Sequence, residues 1–101
     1  MEKSVKFSML LEIYGKVLTE KQADTIDLYY NQNLSLSEIA EEIGITRQAV
    51  RKSLIEAEKN LLDYENKLGF FEKQVQRKNK IDKILKIVKD NELIKMIEEL
   101  K

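Results

Sequence analysis

Residues Ser35–Leu61 read SLSEIAEEIGITRQAVRKSLIEAEKNL and divide into two helices joined by a tight turn. Ser35 caps the first helix, and Glu38, three residues on, completes a capping box. Leu36, Ile39, Ala40 and Ile43 supply its buried face. Gly44 stands where a short helix must reverse, because a residue without a Cβ enters positive φ at little cost. Thr46 caps the next helix, whose apolar positions Val50, Leu54, Ala57 and Leu61 form one stripe at the helical period.

Three details sharpen the pattern. Ala40, four residues before the glycine, keeps a small side chain where two steeply crossing helices meet. Ile45 plugs the corner, and Val50 faces back onto the first helix. This spacing predicts a helix-turn-helix, whose second helix can enter the major groove of a duplex. The same geometry also serves a hairpin that only packs a core, since a fold does not determine a function.

The outer face of that second helix carries the candidate binding residues. Arg47 or Arg51 can pair with guanine in bidentate fashion, and Gln48 with adenine. Lys52 and Lys59 suit phosphates, Thr46 can present its backbone amide to one at the helix start, and Ile55 lies further along. Plain solvent exposure is the alternative for Gln48 and Lys52. Glu56 and Glu58 among these cations, and Glu41 and Glu42 on the preceding helix, repel phosphates and predict weaker binding than in a strong repressor.

The totals set bounds. A chain of 101 residues is one domain. It has 18 basic and 18 acidic side chains and a net charge of zero, which weighs against a dedicated DNA binder, so the local distribution of charge matters more than the sum. No histidine or cysteine is present, so the usual bases, nucleophiles and thiolate ligands are missing. No enzymatic activity, metal or cofactor is expected. No apolar run approaches the roughly 20 residues that span a bilayer, and neither membrane insertion nor a signal peptide is expected.

With no proline and 3 glycines the chain permits helix nearly throughout. A first helix is predicted over about 4–16, with Val5, Met9, Ile13 and Val17 as its apolar row, broadened by Phe7, Leu10, Leu11 and Tyr14. Thr19 and Gln22 form another capping box, opening a helix whose inner face holds Ala23, Ile26, Leu28 and Tyr30. Asn31-Gln32-Asn33 ends it. Tyr29 and Tyr30 read as core or interface aromatics rather than base-stacking platforms.

The helix from Thr46 meets no stop until Gly69, a length of roughly 34 Å. Its distal apolar residues, Leu61, Leu62, Tyr64 and Leu68, need cover beyond the first four helices, and the C-terminal segment is the candidate. A helix over about 70–89 carries Phe70, Phe71, Val75, Ile81, Ile84, Leu85 and Val88. Asp90-Asn91 breaks it, and a short last helix holds Leu93, Ile94, Ile97 and Leu100. Between Lys73 and Lys89 there are 7 basic residues and 1 acidic residue. This stripe reads as a solvated outer face, as a phosphate-contacting surface using Lys73, Arg77, Lys78 and Lys80, or as a membrane-surface helix. The apolar excess of the tail predicts a partner, and a homodimer through it is expected.

The segment LTEKQADTIDLYY at 18–30 followed by LSLSEIAEEIGITRQAVRKSL at 34–54 resembles the promoter-reading fourth region of bacterial sigma factors. Together with the opening FSMLLEIYGKVLTEKQ and the lysine-rich tail, the chain resembles the YlxM family, small bacterial helix-turn-helix proteins associated with the signal recognition particle. The resemblance implies an all-α fold: a sigma region 4-like helix-turn-helix with a long recognition helix and a C-terminal helical extension. It forms a single helical domain over 1–101, with a core at 1–68 and basic amphipathic helices at 69–101. It also implies cytoplasmic location and partners among DNA or RNA, the particle's RNA and its GTPase. A protein-binding adaptor and a sequence-specific transcriptional regulator are the alternative roles.

Overall fold

The computed structural model describes residues Met1–Lys101 as six α-helices without strands. These are α1 (Lys3–Tyr14), α2 (Glu20–Ile26), α3 (Leu36–Ile43), α4 (Arg47–Leu68), α5 (Phe70–Ile87) and α6 (Asn91–Glu98). A 3₁₀ turn at Gly15–Val17 follows α1, and a π-turn at Asp27–Asn31 extends α2. The chain divides into two compact units, Met1–Gly69 and Phe70–Lys101.

In the first unit α4 is the axis, and α1, α2 and α3 each pack against it. Its core is Phe7, Leu10, Tyr14, Leu18, Ile26, Ile39, Val50, Leu54, Ala57 and Leu61. The α4 stripe is buried as its period predicts. The α1 face is not: Phe7, Leu10 and Tyr14 turn inward, while Val5 and Val17 are 44% and 52% exposed. Apolar residues run round nearly the whole of α1, so periodicity alone does not choose a face, and the large aromatics take the interior.

Both predicted capping boxes form. Thr19 Oγ1 accepts from the Gln22 amide while Gln22 Oε1 accepts from that of Thr19, and Ser35 and Glu38 repeat the arrangement. The Ser35 backbone N–H and then its hydroxyl hold the Glu38 carboxyl below the usual glutamate range. Two polar side chains enter the core as a pair: Thr25 Oγ1 donates to the Lys21 carbonyl at 2.7 Å and lies 3.3 Å from Ser53 Oγ. Tyr14 reaches the distal half of α4, stacking on Tyr64 at 6.1 Å and donating to Glu65 at 2.7 Å. Within the first unit α1 thus covers part of that half, while Tyr64 and Leu68 are 36% and 44% exposed.

In the second unit Phe71 and Ile81 of α5 are buried. Asp90 caps α6, accepting from the amides of Glu92 and Leu93. Lys101 pairs with Asp82 at 2.9 Å, and that contact lowers the Asp82 carboxyl. Ile94 and Ile97 are half-buried, whereas Leu93 and Met96 of α6, and Leu100 in the turn after it, are 49%, 62% and 55% exposed. No helix of the chain is long and apolar enough to cross a membrane.

Candidate nucleic-acid interface

The corner between α3 and α4 is built by backbone geometry. Gly44 adopts φ 80° and ψ 36°, the left-handed region. Its N–H and that of Ile45 both donate to the Ala40 carbonyl, at 2.9 and 3.1 Å, which closes the end of α3. Thr46 then returns to extended geometry, and its Oγ1 accepts from the Ala49 amide at 3.1 Å. The Thr46 hydroxyl is thus engaged as the cap of α4, where amide groups of the first turn remain free of intrahelical acceptors.

Beyond the corner, Arg47, Gln48, Arg51, Lys52 and Lys59 are all exposed. At the helical period, Gln48, Lys52, Ile55 and Lys59 form one row opposite the buried Val50–Ala57 stripe. Arg47 and Arg51 form a parallel row along one edge. Gln48, Arg51, Lys52, Ile55 and Glu56 line a shallow concavity on this face. Neither arginine makes an ion pair or hydrogen bond within the chain.

Two acidic side chains expected here part company. Glu56 stays exposed on the outer face of α4. Glu58 turns inward, accepts a hydrogen bond from the Tyr30 hydroxyl and lies 3.9 Å from Lys3 Nζ. It therefore does not stand among the outer-face cations Lys52 and Lys59, which is a correction to the reading from sequence. Glu41 and Glu42 are exposed on α3.

In the second unit, Lys73, Arg77, Lys78 and Lys80 are exposed on α5. Lys73, Arg77 and Lys80 share one side, and the Lys73 ammonium lies 5.9 Å from the Phe70 ring centroid. Lys78 is separate, in line with Phe71, Val75 and Leu85 on the apolar stripe.

A family model for the UPF0122 proteins, helix-turn-helix proteins of YlxM/p13-like type, matches residues 1–100. The chain belongs to this family. A UPF0122 protein of Streptococcus pneumoniae is 44% identical over 101 residues, covering 99% of this chain and 92% of its own length. A UPF0122 protein of Clostridium kluyveri is 49% identical over 74 residues, covering 73% of this chain and 67% of its own.

In this UPF0122 chain the contacts that hold α4 in place were less visible in the sequence than its exposed cations. Tyr30 stacks on Phe7 at 5.1 Å, with Tyr29 edge-on at 4.9 Å, and anchors the π-turn to α1 and α4. Burial, then the neighbouring Glu58 carboxylate, pushes the Tyr30 hydroxyl well above the usual tyrosine range. The Thr25–Ser53 contact fixes α2 to α4 on the side away from the arginines. A serine at 53 within the α4 stripe was the available signal for a buried partner hydroxyl.

Proposed function

We propose that this UPF0122 protein is a non-enzymatic nucleic-acid-binding accessory protein that inserts the first three turns of α4 into its target. The observation that carries this reading is the exposure of Arg47 and Arg51 on the helix beyond Gly44, with no internal acceptor for either. A guanidinium left in this state breaks no internal contact when it turns toward a base edge or phosphate. Thr46, Arg47, Gln48, Arg51, Lys52 and Lys59 form the proposed interface, with Lys73, Arg77, Lys78 and Lys80 as further phosphate contacts from the tail. The YlxM likeness supports a link to the signal recognition particle in the cytoplasm, through its RNA, its GTPase or expression of its genes. The uncovered face of α6 supports a homodimer.

The exposed acidic pair Glu41 and Glu42 beside α4 favours a second reading, a protein-binding adaptor that uses the same fold. Gel shifts on structured RNA, random duplex DNA and selected duplex DNA at two salt concentrations test the first reading. Binding that weakens steeply with salt supports it; absence of binding to all three nucleic acids leaves the adaptor.

A further inference from the structure

Helix α5 presents a straight row on its outer side. Phe70, Lys73, Arg77, Lys80, Ile84 and Ile87 recur at alternating steps of three and four residues, which aligns them over about 25 Å of helix. All are exposed, the apolar members Phe70, Ile84 and Ile87 by 46%, 45% and 77%. The packed side of α5 is a different one, where Phe71 and Ile81 are buried and Val75, Leu85 and Val88 half-buried. The apolar bulk of the row is thus additional to what α5 needs for packing. Acidic groups do not offset its charge. Asp82 lies on the opposite side, paired with Lys101 at 2.9 Å, and Glu72 stands at the edge, where Gln76 donates to it at 3.5 Å.

We infer that this row docks α5 on an anionic lipid surface. The helix lies in the headgroup plane, with Phe70, Ile84 and Ile87 entering the acyl boundary and Lys73, Arg77 and Lys80 on lipid phosphates. The inference goes beyond the proposed role of α4 and does not depend on it. Cations set between apolar side chains suit a bilayer surface, because long basic side chains reach up to phosphates while their apolar neighbours sink below. Other occupants match only part of the row. A second copy laid along it, parallel or antiparallel, brings cation against cation at Arg77 and Lys80. A nucleic acid meets the cations but leaves Ile84 and Ile87 in water.

The test uses the full-length protein with vesicles of phosphatidylcholine alone or mixed in equal parts with phosphatidylglycerol. Co-sedimentation is expected with the mixed vesicles, at least about tenfold stronger than with phosphatidylcholine and weakening as salt rises. Ile84→Ala/Ile87→Ala should bind the mixed vesicles at least about tenfold more weakly, and Lys80→Gln about fivefold more weakly, both melting as wild type does. The chain has no tryptophan, so Ile87→Trp supplies a single one, whose emission should shift to the blue on mixed vesicles. Absence of binding to the mixed vesicles overturns the inference. Binding left unchanged by Ile84→Ala/Ile87→Ala, with no blue shift from Ile87→Trp, is adsorption by charge alone and overturns it too. Self-association lost in Ile84→Ala/Ile87→Ala, in a protein that ignores vesicles, gives the row to a second copy instead. Nucleic-acid affinity lost in Lys73→Gln/Arg77→Gln/Lys80→Gln, again without vesicle binding, gives it to nucleic acid. None of these outcomes bears on Arg47 or Arg51, so the proposed function of α4 stands or falls separately.

Discussion

Tyr30 donates its hydroxyl hydrogen to the carboxylate of Glu58, joining the π-turn after α2 to the middle of α4. The contact also turns the Glu58 carboxylate toward Tyr30 and Lys3, away from the row of Gln48, Lys52 and Lys59. One hydrogen bond thus positions α4 and adjusts the electrostatics of its outer surface.

Tyr30→Phe is expected to reduce stability by about 1 kcal/mol in urea titration at neutral pH, the typical net value of such a bond. The raised hydroxyl also has a pH signature. The folded state holds that proton more tightly than the unfolded chain does, so its contribution is complete below the ordinary tyrosine pKa and disappears as pH rises through the folded value. Wild type should therefore lose stability above about pH 10 more steeply than Tyr30→Phe.

Gly44 is needed for its backbone, not for space. A Cβ built there meets nothing within 4 Å, yet φ is +80°. Gly44→Ala should cost about 1–2 kcal/mol by denaturant titration, all of it conformational. Gly44→Asn should cost less than Gly44→Val, because asparagine tolerates the left-handed region and a β-branched side chain does not.

Thr25 and Ser53 should behave as a coupled pair. Thr25→Val leaves the buried Ser53 hydroxyl without a partner, at a cost of about 1–3 kcal/mol. Adding Ser53→Ala to it should recover part of that loss, because no unpaired hydroxyl remains. A double-mutant cycle with purely additive losses would contradict the pairing.

The helix-turn-helix was legible because its signals are local and agree with one another. Ser35 with Glu38, Gly44, Thr46 and the Val50–Leu61 stripe each point to the same two helices. The exposure of Arg47, Gln48, Arg51, Lys52 and Lys59 was legible for the same reason, since the buried stripe of α4 defines its opposite side. Other features depend on tertiary choice. The inward face of α1 is selected by how Phe7 and Tyr14 meet Tyr30 and α4, and its own apolar residues surround the helix. The π-turn at Asp27–Asn31 leaves no distinct sequence period. Glu58 could be assigned inward only once Tyr30 was seen to lie against it.

The central claim is that Arg47 and Arg51, displayed beyond the Gly44 corner, are what grips nucleic acid. The most direct measurement is the salt dependence of affinity for a labelled DNA duplex, comparing wild type with Arg47→Ala/Arg51→Ala. The account predicts a linear fall of log affinity with log salt for wild type. The double variant should bind at least about tenfold more weakly at low salt, with a slope shallower by up to roughly two, and should melt as wild type does. Equal affinity and equal slope for the two proteins would contradict the account.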